Sequence, residues 1–339
     1  MRRSSATTES GILTIAHGPP VYIEMAKALA RSLDRFSPGI AKAIVTDVTD
    51  GTLSSYFDIQ IPYDPGRGGD VRQKLFLDCY TPFKRTFFID SDCLVLGPLD
   101  NAFRVFAGGE SIVSDRTWEL SASNPHHGTD FDQLLNRTGL HSYPGFNGGL
   151  YYIEKGTRSE EVFNKGREIL KDYESYGLCE FRAGQGCPGD EPVLGIAMAL
   201  LKCDTVPTDQ VLIGSPFGLK GKFHLDVIQG EASFVHYHGR LSPVIIHFGR
   251  WFCGESQVQT AYERECRKLE ILERVPVGAR FCARLYGVWH QIKIPCSAAV
   301  AALWARVPRP LRLMWHAARS RLKNALSSES EEREGDSRG

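Results

Sequence analysis

Arg85-Thr86-Phe87-Phe88-Ile89-Asp90-Ser91-Asp92 sets two carboxylates directly behind a short, largely apolar run. A run apolar on both alternating faces reads as a strand inside a sheet, covered on both sides. Its carboxyl end is where open α/β sheets bind their ligands. Side chains two apart on a strand share a face, so Asp90 and Asp92 can turn toward one point. Two like charges held together are costly unless a cation lies between them. A few oxygen ligands suit Mg²⁺ or Mn²⁺ shared with substrate phosphates. The competing reading is a solvated turn capping a following helix, and two aspartates alone do not decide between them.

Working outward, residues 11–16 read as a buried strand ending at His17-Gly18-Pro19-Pro20. Residues 22–33 carry Ile23, Ala26, Leu29, Ala30 and Leu33 at helical spacing, and Ser37-Pro38-Gly39 stops that helix. A second strand follows at 41–46. This βαβ opening predicts an α/β fold with a mixed, mostly parallel sheet flanked by helices. Further helices are expected at 71–80, 158–173 and 191–201, and further strands at 111–114, 149–153, 233–237 and 244–247. The stretch 118–145 reads as long polar loops of the kind that carry binding groups. No internal repeat is evident.

Composition is ordinary for a globular chain of 339 residues: 42% hydrophobic, 24% charged, net charge zero. Nine cysteines stand singly with no C-x-x-C pair, which argues against a zinc ribbon or disulfide framework and for a reducing compartment. No signal-like stretch opens the sequence, and no apolar run reaches the ~20 residues of a membrane span. The expected location is cytoplasmic. From 275 to 326 the chain has many arginines and lysines, interleaved with Trp and Leu, and no acidic residue. Two readings of that segment stand together: an interfacial amphipathic stretch giving peripheral membrane contact, or helices with a solvated basic face. No recognition motif points to nucleic acid. The expected organisation is a flexible N-terminus (1–10), a catalytic domain (11–255), a basic helical C-terminal extension (256–326) and a disordered acidic tail (327–339).

Other candidates follow the same logic. His247 sits behind Val244-Ile245-Ile246, and an imidazole added to two carboxylates would favour Mn²⁺; a core histidine is the competing reading. Asp190 precedes a helix and reads both as its N-cap and as a sugar contact. Asn147, before Gly148-Gly149, reads as a turn residue or as part of a close backbone approach to a ligand. Asp115 follows the strand at 111–114 and is a weaker sugar-binding candidate. Tyr22 reads equally as helix core.

In order along the chain stand Tyr22, Lys74-Leu75, Phe88-Ile89-Asp90-Ser91-Asp92-Cys93-Leu94-Val95, Phe146-Asn147-Gly148-Gly149-Leu150-Tyr151, Gly189-Asp190-Glu191-Pro192-Val193-Leu194 and Ile246-His247-Phe248-Gly249. In this the chain resembles the GT-A-fold retaining glycosyltransferases that include glycogenin and bacterial lipopolysaccharide galactosyltransferases, the family-8-like group. The resemblance spans roughly residues 13–251. It implies a metal-dependent hexosyltransferase acting on a nucleotide-diphosphate sugar, uridine diphosphate by family habit, with retention at the anomeric carbon. The implied metal ligands are Asp90, Asp92 and His247, and Mn²⁺ or Mg²⁺ is the implied cofactor. The donor site implied is Tyr22, Lys74, Asp90, Asp115, Asn147, Gly148 and Arg250, with Asp190 and Glu191 as catalytic carboxylates facing the sugar. The acceptor would be a hydroxyl of a glycan, a lipid-linked sugar or a protein. Two departures stand out. The late motif is shortened and lacks its usual lysine, for which Arg250 can substitute as a phosphate grip. Glu191 replaces a customary amide.

Rival functions share the Asp-x-Asp motif. A haloacid-dehalogenase-like phosphatase would use Asp90 as nucleophile, a nucleotidyltransferase would attack phosphate, and a non-catalytic module would only bind sugar or nucleotide.

Overall fold

A computed structural model describes residues 9–108, 116–123, 126–181, 186–206, 211–236, 239–249 and 256–274, all within one compact unit. Strand β1 (Ser10–Ile15) leads into helix α1 (Pro20–Phe36), whose Pro20 sits in the first turn where its missing N–H costs nothing. The buried face of α1 carries Ile23, Ala26, Leu29, Ala30 and Leu33, as the periodicity predicted. Strands β2 (Ala41–Thr46) and β3 (Ile59–Pro62) extend the sheet in parallel. After the short helix α2 (Leu77–Tyr80), β4 (Arg85–Ile89) pairs in parallel with the other side of β1. The apolar run 85–89 is thus an interior strand.

Beyond β4 come β5 (Cys93–Val95), α3 (Asp100–Phe106), β6 (Arg116–Glu119), α4 (Phe131–Thr138), β7 (Ser142–Gly145) and β8 (Leu150–Glu154). Antiparallel β8 closes the five-stranded sheet in the order β3-β2-β1-β4-β8. The sheet is therefore mixed and mainly parallel. Helices α5 (Thr157–Lys171) and α6 (Asp190–Leu200) follow, then β9 (Ile213–Gly214), β10 (Lys220–Asp226), β11 (Glu231–His236), β12 (Gly239–Leu241), β13 (Ile245–His247) and α7 (Ser256–Arg274).

Strand alternation builds two cores from neighbouring residues. Leu13, Phe88, Tyr151 and Ile153 face a cluster with Val162, Phe163, Val193 and Leu194 of α5 and α6. Ile12, Phe87, Ile89 and Tyr152 face the opposite cluster with Leu29 and Leu33 of α1 and Phe103 and Phe106 of α3. Helices cover both faces. Helix α6 can lie deep because Gly166 admits Leu194 and Gly195 admits the Tyr143 ring, each at a distance no added Cβ would tolerate.

The expected helix at 71–80 is corrected. Asp70–Phe76 winds as a 3₁₀ helix, and only Leu77–Tyr80 is α-helical. Side-chain bonds to the preceding loop set this path. The Gln73 amide donates to the carbonyls of Asp64 and Gly68, and the Tyr80 hydroxyl donates to Gln73. Among the described cysteines, Cys93, Cys187 and Cys203 are buried, whereas Cys79 and Cys179 are exposed. Among the described residues no helix is long and apolar enough to cross a membrane. The strand expected at 111–114 and the basic segment 275–326 lie outside the described residues, as does the acidic tail.

Candidate active site

Asp90 directly follows β4 and Asp92 precedes β5, with a turn between them closed by the Cys93 amide donating to the Asp90 carbonyl at 3.0 Å. The expectation from strand alternation is corrected: the two carboxylates come together through that turn. Strand β13 then pairs antiparallel with β5 and sets His247 opposite Cys93. The Phe248 amide donates to the Asp92 carbonyl at 3.1 Å and pins the register. His247 Nε2 consequently lies 3.4 Å from Asp92 Oδ1 and 3.6 Å from Asp90 Oδ2.

The orientation of the ring is settled by its far side. The Gly149 amide donates to Asn147 Oδ1 at 2.9 Å, so that atom is an acceptor and the Asn147 amide has one orientation. His247 Nδ1, 2.7 Å from the same oxygen, must then carry a proton and donate it. In the neutral ring the lone pair is on Nε2, the nitrogen between the two carboxylates. A second partner that fixes the tautomer in this way is the usual support of a metal-binding histidine. Oxygens of Asp90 and Asp92 with Nε2 of His247 make a donor set that fits Mn²⁺ or Mg²⁺. Asp92, Cys93 and His247 also offer atoms within 4.8 Å of one another. The Cys93 thiol is fully buried, and burial first, then the two aspartates, push it well above its ordinary pKa, so it remains a neutral packing group.

Electrostatics agree with a cation site. Burial works to lower the His247 pKa, but the charges of Asp92 and Asp90 outweigh it and leave the pKa raised. Fields that hold a proton there would hold a metal ion in its place. Asp90 is raised by burial, opposed by Lys74 and His247. Lys74 donates to Asp90 Oδ2 at 2.6 Å and to the Gly148 carbonyl at 2.8 Å, and lies 3.5 Å from Asp190 Oδ2. Burial opposes its charge, yet Asp190 and Asp90 keep it an ammonium, with a pKa above the ordinary lysine value.

Asp190 is the first residue of α6, and Gly189, not Asp190, occupies the N-cap, with no side-chain cap bond. The capping reading is corrected: the Asp190 carboxylate is taken by the Tyr151 hydroxyl and by Lys74. Asp190 and Glu191 still lie where the helix dipole favours anions. Glu191 Oε1 accepts the Gly148 amide at 2.6 Å. An added Cβ on Gly148 would come within 2.9 Å of both Asp190 and Glu191, and one on Gly149 within 2.6 Å of His247 Nδ1.

Structure thus gathers Lys74, Asp90, Asp92, Asn147, Gly148, Asp190, Glu191 and His247 into one site. Tyr22 is half-buried against the cluster of Ala16, Ile23, Ile44 and Leu53. Asp115 and Arg250 lie outside the described residues. Two features escaped the sequence reading. His17 and Tyr63, just past the carboxyl ends of β1 and β3, stack at 3.9 Å between ring centroids. His127 Nε2 lies 2.8 Å from Glu191 Oε2. Their signals were present, a histidine directly behind a strand and a His-His-Gly turn in a polar loop, but neither names a partner.

No family model matches the chain, and no curated protein matches it in sequence. Several solved structures are similar to it. Glycosyltransferase GlyE of Streptococcus pneumoniae TIGR4 overlaps 60% of this chain and 45% of its own, at 17% identity and a TM-score of 0.42. The galactosyltransferase LgtC, in complex with donor and acceptor sugar analogues, overlaps 75% of this chain and 95% of its own, at 14% identity and a TM-score of 0.45. Mouse xyloside xylosyltransferase 1 overlaps 61% of this chain and 88% of its own, at 11% identity and a TM-score of 0.41. The chain spans less than half the length of GlyE. These overlaps are loose, and the chemistry rests on the side chains themselves.

The packing at Gly149 gives a direct test. Gly149→Ala should push His247 off Nε2 alignment and weaken Mn²⁺ binding about 10–100-fold, the usual cost of disturbing a ligand's support. Calorimetric Mn²⁺ titration of the folded variant checks this; unchanged affinity would remove His247 from the site.

Proposed function

We propose that this chain is a metal-dependent glycosyltransferase that moves a hexose from a nucleotide-diphosphate sugar, a UDP-sugar in first place, to a hydroxyl acceptor with retention. One observation carries the reading: His247 Nε2, with its tautomer fixed by Asn147, faces both Asp90 and Asp92 at the carboxyl end of an interior strand. That is the position at which open α/β sheets hold phosphates.

Asp90, Asp92 and His247 would hold Mn²⁺ or Mg²⁺, which as a Lewis acid offsets charge on the departing diphosphate. Lys74 stays charged and lies beside the same carboxylates, placed to share that task. In the shortened late motif, Arg250 takes the place of the family's lysine. The side-chain-free Gly148 lets Asp190 and Glu191 close on its backbone, where the two carboxylates would receive a sugar's hydroxyls. Asp190 is locked by Tyr151 and Lys74, which suits a positioning carboxylate. The acceptor's proton would pass to the leaving phosphate oxygen on the same face. The stacked His17 and Tyr63 offer flat surface for a nucleobase. A phosphatase reading needs Asp90 as an open nucleophile, and here Lys74 engages it at 2.6 Å.

Thermal-shift screening of nucleotide sugars with and without Mn²⁺ tests the proposal. Stabilisation by one donor class, dependent on Mn²⁺ and lost in Asp92→Ala, is expected. A donor-independent response, or equal stabilisation of the variant, contradicts it.

A further inference from the structure

His127 belongs to the 3₁₀ turn His126–Gly128 and has φ 51° and ψ 33°, the left-handed region that a residue with a Cβ avoids. That backbone is held in place by the surrounding structure. Cys179 helps, its Sγ lying 3.5 Å and 3.6 Å from the carbonyl oxygens of His127 and Gly128. The conformation aims the imidazole at α6, where Nε2 meets Glu191 Oε2 at 2.8 Å. Glu191's other oxygen accepts the Gly148 amide at 2.6 Å, and Lys74 takes the Gly148 carbonyl at 2.8 Å. One residue's backbone is therefore clamped from both ends, by the cation-site arm through Lys74 and by the His127 arm through Glu191.

We propose that His127 is a positioning residue for sugar transfer, acting through Glu191 to fix the Gly148 peptide; this rests on the glycosyltransferase reading above. Among the described residues, those facing His127 include Glu191 and Asp190 from α6, the Phe181 ring at 6.3 Å and the Cys179 thiol. Burial works to lower the imidazole's pKa, but the bond and charge of Glu191, with Asp190 behind it, leave it raised. The ion pair is complete below the ordinary histidine value and is lost as pH rises through the raised one. Activity governed by this clamp therefore has an alkaline limb belonging to His127.

The test compares His127→Ala with His127→Gln, which keeps an N–H donor for Glu191. Hydrolysis of UDP-glucose and UDP-galactose is measured with Mn²⁺ across neutral to alkaline pH. His127→Ala should lose about tenfold in kcat, with Mn²⁺ affinity unchanged, and should lack the alkaline limb. His127→Gln should recover most of kcat with a flat profile. Parent-like kcat and profile in His127→Ala overturn the proposal, as does equal loss in both variants with a falling Tm, which marks a merely structural role. Hydrogen exchange of the Gly148 amide, read by NMR on the metal-free protein, needs no donor. It should be about tenfold faster in His127→Ala if the Glu191 clamp depends on His127. Unchanged exchange overturns the positioning role. Absence of donor hydrolysis in the parent protein, with faster Gly148 exchange in the variant, overturns the glycosyltransferase reading and with it the assigned reaction, while the clamp itself stands.

Discussion

Asp92→Asn is expected to lower sugar transfer by about a thousandfold, equivalent to ~4 kcal/mol of transition-state stabilisation, while the metal-free protein stays folded. Asparagine keeps the shape of the side chain and one oxygen but removes the charge. Asp90 already carries the Lys74 ammonium at 2.6 Å, so the larger share of the anionic field for a cation comes from Asp92. The bond that registers β13 on β5 uses the Asp92 backbone carbonyl, which the substitution leaves in place. His247 therefore remains near its position, and the loss falls on the cation. Steady-state transfer and Mn²⁺ titration read both quantities. Transfer within about tenfold of the parent, at saturating Mn²⁺, would show that the carboxylate does not hold the ion that serves the leaving diphosphate.

What could be read from the sequence divides along physical lines. Strands β1, β2, β4 and β8 and helices α1, α5 and α6 were legible because each strand carries a continuous apolar run and each helix an apolar face at helical spacing. The site residues on their ends came with them: Asp90 behind β4, Asn147 and Gly148 before β8, Asp190 and Glu191 at the start of α6. The pairing that makes these a site was less legible. Strands β5 and β13 are three residues each, too short for periodicity, yet their register alone brings His247 to Asp92. The proximity of Asp90 and Asp92 was expected for a wrong reason, strand alternation in place of a tight turn. Lys74 was expected on a helix and stands on a 3₁₀ stretch whose path is set by Gln73, a long-range matter no window of sequence reports. His127 was invisible for a similar reason. Its role depends on a left-handed backbone and on Glu191, 64 positions away.

Glu265→Ala is expected to cost about 3–5 kcal/mol, the penalty of stranding buried cations by removing their counter-ion. Glu265 is fully buried in α7. One oxygen accepts the Val227 amide and the Lys268 ammonium, each at 2.9 Å, and the other accepts Arg264 Nε at 2.7 Å. Arg264 also donates to the Leu225 carbonyl, and Lys268 lies 3.6 Å from Asp226. The group ties α7 to the turn between β10 and β11. Alanine would leave Lys268, nearly buried, with only the longer Asp226 contact. Urea melts should show the loss, whereas Glu265→Leu with Lys268→Met should fall much less, since well-packed apolar pairs commonly replace buried ion pairs at little cost. Burial alone would raise the Asp226 pKa, but Lys268 and the amides of Gln229 and Ile228 hold it below the ordinary carboxylate value. Its contribution is complete above that ordinary value and is lost as pH falls through the lowered one, so the parent should weaken in acid. The consequence reaches the candidate site. Tyr262 of α7 packs on Phe248 at 4.5 Å between centroids, directly beside His247. Mn²⁺ affinity should fall with stability in Glu265→Ala and return in the apolar double variant. A loss under about 1 kcal/mol would mean that the knot is solvated and that His247 is held by β5 and Asn147 without help from α7.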